Sequence, residues 1–175
     1  MNRAGVPVLL GGRPLRTAPL PPWPAAAGDE MEELARVLDQ EVWLDGAATA
    51  AFERALAEYL GASHVIAVNS GGMALQLALR NLGLRPGDEV IVPVDACVAD
   101  AFAVFNAGAV PLFADSDPET FTLDWSSVEE TLGKRTRALI VVQPWGRLAD
   151  MDHAKKLAER HGLWLIDDAC QALGA

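Results

Sequence analysis

Apolar and polar positions along most of the chain follow two periods, and together they predict an α/β fold. From residue 64 onward, short apolar runs alternate with longer amphipathic stretches. The short runs predict buried strands, and the stretches predict helices. The predicted strands cover residues 65–68, 89–92, 110–113, 138–142 and 163–166. The helices between them cover residues 72–82, 97–107, 126–132 and 150–160. Five strands that alternate with four helices indicate a mostly parallel sheet with helices on both faces.

The chain before this region has a different character. Residues 1–28 form a proline-rich arm, which cannot continue a regular helix or a central strand and is expected to lie extended on a surface. Two amphipathic helices are predicted next, over residues 29–40 with Asp29 as the cap, and over residues 50–60 with Gly61 as the stop. We therefore divide the chain into an arm, 1–28, and an α/β domain, 29–175.

Composition narrows the classes of partner. The chain has 175 residues, half of them hydrophobic, and a formal net charge of -10. This charge without a basic cluster argues against nucleic acid and anionic membranes as partners. The N-terminal apolar cluster, residues 6–10, is broken by Pro7 and is too short for a signal or a membrane span, so we expect a cytoplasmic protein. Cys97 and Cys170 lack C-x-x-C spacing and are expected to be reduced and partly buried, with no metal.

The turn after the first predicted strand is the first candidate binding site. Gly71 and Gly72 stand between the strand and the next helix. Two glycines let the backbone approach a ligand, and the free N–H groups of a helix start favour an anion such as phosphate. A glycine pair alone is a weak signal, because it also serves as a tight connection in many α/β domains.

Polar residues after the other strands provide a second candidate binding site. Ligands of parallel sheets bind at the carboxyl ends of the strands, where Asp167, Asp168 and Gln171 follow the fifth predicted strand. The two aspartates either cap the next segment in water or meet a cationic ligand. A ligand with a phosphate at one end and a protonated ring nitrogen at the other would satisfy both the glycine turn and an aspartate. Pyridoxal 5′-phosphate (PLP) has this shape.

Several long segments carry a family resemblance. The chain resembles the N-terminal part of the DegT/DnrJ/EryC1/StrS family of PLP-dependent sugar aminotransferases. The matching segments are FERALAEYLGASHVIAVNSGGMALQLAL, RPGDEVIVP, AGAVPLFADSDPETFTLD and TRALIVVQPWGRLADMDHAKKLAERHGLWLIDDACQALGA. The resemblance implies the large domain of the PLP-dependent transferase fold type I, truncated before its last strands and its small C-terminal domain. The opening LLGGRPLRTAPLPPWP further resembles the branch that acts on keto-cyclitols and related sugars in aminosugar and antibiotic biosynthesis.

The resemblance also implies roles for individual residues. The phosphate-binding S-G-T of the family falls on Ser70, Gly71 and Gly72, so the threonine is lost here. The aspartate that pairs with the pyridinium nitrogen falls on Asp168. The residue that contacts the ring face or the phenolic oxygen falls on Gln171.

Two further positions depart from the family pattern. The aromatic residue that stacks on the cofactor ring falls on Cys97, which removes a contact worth on the order of 1 kcal/mol. The histidine after the fourth strand is replaced by Gln143.

The family's Schiff-base lysine lies beyond the aspartate strand, so we expect the chain alone to lack covalent PLP catalysis. Lys134, Lys155 and Lys156 lie in a polar turn and on a solvated helix face. In the family's sheet, the strand at residues 65–68 is held next to the fifth strand only through two strands that come later in sequence. The resemblance therefore implies that this strand would lack a neighbour in the present chain.

Two functions are therefore compared. In the first, the chain is the N-terminal half of an aminotransferase for a keto-sugar or keto-cyclitol. It is then either a fragment of a longer enzyme or one subunit of a split enzyme, which a C-terminal-half polypeptide completes in a homo- or hetero-oligomer. In the second, it is a degenerate partner subunit of an intact homologue. A nucleotide-binding Rossmann domain is a distant third, because no G-x-G-x-x-G follows the first strand.

Overall fold

A computed structural model describes residues 6–26, 28–40, 43–44 and 46–175. The chain forms two compact units, which meet in sequence between Val65 and Ile66. We describe each unit by itself. The division of the chain into an arm, 1–28, and a domain, 29–175, stays a prediction.

The first unit contains the two predicted helices. A single 3-10 turn covers Val8–Leu10, helix α1 covers Glu30–Leu38, and helix α2 covers Ala47–Leu60. Asp29 precedes α1, but its side chain accepts no hydrogen bond from the helix, so the predicted cap is wrong. Gly61 ends α2 in the left-handed conformation, with φ of 64°, which favours glycine.

The second unit is a parallel sheet with four strands in its described residues, in the order β2-β1-β3-β4. Its elements, in chain order, are α3 (Gly71–Asn81), β1 (Glu89–Pro93), α4 (Val98–Asn106), β2 (Val110–Ala114), α5 (Trp125–Thr131), β3 (Thr136–Val142), α6 (Met151–His161) and β4 (Trp164–Asp168). These bounds agree with the predicted ones to within two residues. A second 3-10 turn, Pro144–Gly146, follows β3.

Residues 65–68 are the exception, because they were predicted to form a buried strand and do not. The structure assigns no strand there, and no strand of the described sheet pairs with them. The side chain of Ile66 is 80% exposed. The apolar run is typical of a buried strand, but a strand also needs a hydrogen-bonding neighbour. In the described sheet, the edge positions next to which a further strand could pair are those of β2 and β4.

Helices cover both faces of the sheet, as predicted. On one face, Leu79 of α3 and Val104 of α4 pack against strand residues such as Val90. On the other face, Val128 of α5 and Leu157 of α6 pack in the same way. All five residues of β1 are buried, because this strand lies in the interior of the sheet. Among the described residues, no helix has the length and apolar character needed to cross a membrane.

The outer side of α4 carries an exposed apolar stripe. Val98, Phe102 and Phe105 are 65%, 57% and 68% exposed, and their spacing puts them on one side of the helix. Exposed apolar patches drive association, so we expect the chain to self-associate at micromolar concentrations. Phe102→Glu should weaken this association about 10-fold or more, since burial of a phenylalanine contributes about 1.5–3 kcal/mol. Light scattering across a dilution series measures the effect.

Ala78→Glu is the matched control, because it adds the same charge to an exposed position of another helix, α3, outside the stripe. A wild-type chain that stays monomeric at every concentration would contradict this prediction.

Candidate functional site

A cleft of about 390 Å³ lies at the carboxyl ends of β1, β3 and β4. Its lining contains all the residues that the sequence predicts as a cofactor site, namely Gly71, Gly72, Cys97, Asp168 and Gln171. These residues are separated by up to 100 positions in sequence, and the parallel topology brings them to one edge of the sheet.

The glycine turn forms the start of α3. The Oγ atom of Ser70 accepts a hydrogen bond from the N–H of Met73 at 3.2 Å, so the serine acts as the helix cap. A Cβ atom on Gly71 would lie 3.4 Å from the Sγ atom of Cys170, and one on Gly72 would lie 3.8 Å from Ala99. The first position is therefore tight, whereas the second has room for a small side chain. The first-turn N–H groups have no partner within the helix and lie beside the cleft.

Asp168 is the last residue of β4 and lines the cleft. Its Oδ1 atom accepts a hydrogen bond from the backbone N–H of Cys170 at 3.0 Å. A hydrogen bond to Asp168, together with burial, raises the pKa of the Cys170 thiol to about 11. The thiol is therefore protonated at neutral pH and adds no charge to the cleft.

Asp167 has a different environment from Asp168. It is exposed, and its Oδ1 atom accepts a hydrogen bond from Nε2 of Gln143 at 2.9 Å. The Oε1 atom of the same glutamine accepts the N–H of Ala149 at 2.6 Å. Gln143, which is 2% exposed, thus links the end of β3 to β4 and to the segment before α6. Asp167 is absent from the cleft lining.

Gln171 supports the opposite wall of the cleft. Its Oε1 atom accepts the backbone N–H of Trp145 at 2.7 Å. Trp145 has φ of 54°, a left-handed conformation that is uncommon for a bulky residue and strains the backbone. The hydrogen bond that the N–H of Trp145 donates to Gln171 holds this strained turn at the edge of the cleft.

Cys97 occupies the position directly before α4. Its side chain is exposed, and so is that of Cys170, so the prediction that both are partly buried is wrong. Neither forms a disulfide. The reason for their exposure is that both lie on loops at the carboxyl end of the sheet, where they line the cleft.

Asp100 is a cleft residue that the sequence analysis missed. It lies in the first turn of α4, is 0% exposed, and lines the cleft floor. Burial, followed by the charge of Asp168, raises its pKa to about 7. A signal was present in the sequence, since helical periodicity places Asp100 on the buried face with Ala103 and Val104.

Among the described residues, the charged side chains that line the cleft are acidic. Asp95, Asp100 and Asp168 line it, whereas none of the lysines or arginines of the described chain does. Within those residues, no group of three or more His, Cys, Asp or Glu side chains is arranged to hold a metal ion. Attraction for an anion must therefore come from backbone N–H groups, and the carboxylates favour a cationic group.

A larger groove, of about 710 Å³, lies elsewhere, beside the starts of β3 and β4. Its lining includes Lys134, Arg137 and Arg160, and Arg160 pairs with Glu129 at 3.4 Å. The groove is open and contains none of the predicted site residues, so the smaller cleft is the candidate functional site.

Comparison with known proteins reveals close similarity over most of the chain. An L-glutamine:2-deoxy-scyllo-inosose aminotransferase of Streptomyces lividus is 44% identical over 172 residues, which are 94% of this chain and 41% of the relative. The structure of DesV from S. venezuelae in complex with a ketimine intermediate matches with a TM-score of 0.80 and 46% identity, over 82% of this chain and 39% of that protein.

A third comparison concerns the cofactor. The structure of NtdA from Bacillus subtilis with bound cofactor PMP matches with a TM-score of 0.79 and 38% identity, over 82% of this chain and 33% of that protein. The chain thus spans about 40% of the length of the first relatives. The model of the DegT/DnrJ/EryC1/StrS aminotransferase family matches residues 24–175, and the chain belongs to this family.

Proposed function

We propose that this chain supplies the cofactor-holding half of a PLP-dependent aminotransferase. The observation that carries the proposal is the single cleft, which joins the start of α3 at Gly71 and Gly72 to the carboxylate of Asp168. The first part suits a phosphate and the second suits a protonated ring nitrogen.

The residues present fit this cofactor. The cleft volume of about 390 Å³ lies in the range of small-molecule sites, and the absence of a side chain at Gly71 keeps the helix start open. Asp168 uses Oδ1 for the N–H of Cys170, which orients the carboxylate plane. PLP, when bound, provides an electron sink for the substrate carbanion, and a carboxylate at the ring nitrogen keeps that nitrogen protonated.

We propose a keto-sugar or keto-cyclitol as the substrate, in aminosugar or antibiotic biosynthesis. Support comes from the names of the relatives, which include 2-deoxy-scyllo-inosose aminotransferases at 44%, 42% and 39% identity. The residue that attaches the cofactor covalently would come from the C-terminal half of the enzyme, either in the same polypeptide or in a partner subunit. Lys134, Lys155 and Lys156 are not in the cleft lining.

A second candidate function is a degenerate partner subunit. Three cleft positions favour it: Cys97 replaces the stacking aromatic, Gly72 replaces a threonine, and Asp100 adds a buried carboxyl. A subunit of this kind would use the cleft wall for contact with an intact homologue and would bind no cofactor.

Pyridoxamine 5′-phosphate (PMP) distinguishes the two functions, because it needs no lysine. Calorimetric titration of the 175-residue chain with PMP should show one site. Cys97→Phe should strengthen binding roughly 2- to 10-fold, since a stacked ring contributes about 0.5–1.5 kcal/mol. Val94→Phe is the matched control, because Val94 is exposed and outside the cleft lining. Absence of PMP binding to both the wild type and Cys97→Phe would favour the degenerate partner.

A further inference from the structure

Asp100 is a buried acid without a donor. Its side chain is 0% exposed, and among the described residues neither Oδ1 nor Oδ2 has a hydrogen-bond partner. An ionised carboxylate at this buried position is strongly disfavoured, because it has lost its hydrogen bonds to water and accepts none from the protein. The group must therefore carry a proton or meet a cation.

The group that faces Asp100 is the carboxyl of Asp168. Both side chains line the cleft, and the charge of Asp168 and a side-chain hydrogen bond with it add to the effect of burial in raising the pKa of Asp100. Such a bond exists only if one of the two carboxyls carries a proton. Asp168 already accepts the N–H of Cys170 on Oδ1. A protonated Asp100 would therefore be a further donor to the Asp168 carboxylate, and the two donors together would fix the plane of that carboxylate.

The other charged groups around Asp100 do not remove the need for this proton. The protonated thiol of Cys170 and the carboxylate of Asp95 line the same cleft, and Oδ1 of Asp95 accepts a hydrogen bond from Ser116 at 2.6 Å. The cation of α3, Arg80, donates to the carbonyl of Asn106 at the far end of α4.

The neighbouring strands add no cation at this end of the sheet either. On β3, Arg137 lies at the opposite end and pairs with Asp88 at 3.3 Å. On β1, Glu89 lies at the opposite end and pairs with Arg135 at 2.7 Å. The strand β2 has the sequence VPLFA and contains no titratable residue. Cys97, at the start of α4, is exposed.

We propose that Asp100 is a positioning residue for Asp168, and that the two carboxyls share one proton on the floor of the cleft. The pair then presents a single negative charge rather than two. Like charges this close cannot both ionise in a site without a cation, and the shared proton belongs to the pair rather than to either residue.

The link to the cofactor rests on the proposed function. A single negative charge matches the single positive charge of a pyridinium nitrogen. If that nitrogen approaches Asp168, it stabilises the ionised pair, so the proton shared by Asp100 and Asp168 becomes easier to remove.

The test is an NMR titration of the chain labelled with ¹³C at the aspartate carboxyls, from about pH 4 to about pH 8, without any cofactor. We expect the Asp100 and Asp168 signals to report one common step near neutral pH. Asp100→Asn, whose amide still donates to Asp168, and Asp168→Asn should each abolish this step. Asp167→Asn is the matched control, because its partner Gln143 can still donate to the asparagine oxygen, and the step should persist.

The wild-type titration is decisive even if a variant fails to fold. The absence of any aspartate step above about pH 5 would overturn the proposal, and so would a step that survives Asp100→Asn. Repeating the titration with PMP distinguishes a failure of the carboxyl pair from a failure of the proposed cofactor binding. A step that is present without PMP and unchanged with it supports the carboxyl pair and counts against the proposed cofactor. A step that PMP lowers supports both.

Discussion

Asp168→Asn is expected to weaken PMP binding by about 10- to 100-fold. The substitution keeps the shape of the side chain and its hydrogen bond from the N–H of Cys170, which lies at 3.0 Å. It removes the negative charge that would stabilise the protonated ring nitrogen. A hydrogen bond to a charged group contributes about 1.5–3 kcal/mol, which corresponds to the expected loss. Calorimetric titration of both proteins with PMP at one pH and one ionic strength measures the difference.

Asp167→Asn is the matched control for this experiment. It makes the same chemical change one residue earlier on β4, where the side chain accepts from Gln143 and does not line the cleft. We expect its effect on PMP binding to be less than about 3-fold, as for a change outside the site. Equal losses from the two substitutions would mean that both act through stability, and the role assigned to Asp168 would be wrong.

The free energy of unfolding is expected to fall as the pH rises from about 4 to about 7. Burial and the charge of Asp168 raise the pKa of Asp100 from 3.8 to about 7, so the folded chain binds a proton that the unfolded chain has lost. Below the pKa of the unfolded chain, the stabilising contribution of Asp100 is complete. Between the pKa of the unfolded chain and that of the folded chain, it decreases by about 1.4 kcal/mol per pH unit, and above the pKa of the folded chain it is lost. Urea unfolding at several pH values measures the slope.

Asp100→Asn should make this pH dependence much shallower, because an asparagine does not titrate. Asp117 and Asp124 do not contribute to this fall in the free energy of unfolding. The pKa of Asp117 is lowered mainly by the N–H of Thr120, and that of Asp124 mainly by the hydroxyl of Ser126. Their contributions are present above the ordinary aspartate pKa and are lost only at lower pH. An equally steep fall in the Asn variant would contradict the assignment to Asp100.

Hydrophobic periodicity was sufficient to predict most of the sheet. The runs that became β1 and β3 have neighbours on both sides and all or most of their residues buried, so the local pattern and the tertiary environment agree. The run at residues 65–68 has the same pattern but no partner strand in the described sheet. Strand pairing depends on the whole sheet, so the local hydrophobic pattern cannot predict it.

The candidate site was predictable in part. Resemblance to the family selected Gly71, Gly72, Cys97, Asp168 and Gln171, and the fold brings all of them into one cleft. Their assigned roles stay predictions.

Sequence reasoning missed Asp100 because an aspartate in the first turn of a helix is common on a solvated surface. Its helical periodicity with Ala103 and Val104 was the signal available in the sequence, and the packing of α4 against α3 and the sheet explains why this side of the helix is buried. Gln143 has its contacts with Asp167 and Ala149 because β3 pairs with β4 and the segment before α6 returns to the end of β3.

The most direct test of the central claim is the ¹⁵N chemical shift of the ring nitrogen of labelled PMP bound to the chain. If Asp168 holds a protonated ring nitrogen, the bound cofactor should show a pyridinium shift at a pH where free PMP is largely unprotonated at this atom. The pyridinium signal should be absent with Asp168→Asn and present with Asp167→Asn. A pyridine-type shift in the wild-type complex, or a pyridinium shift that survives Asp168→Asn, would contradict the account.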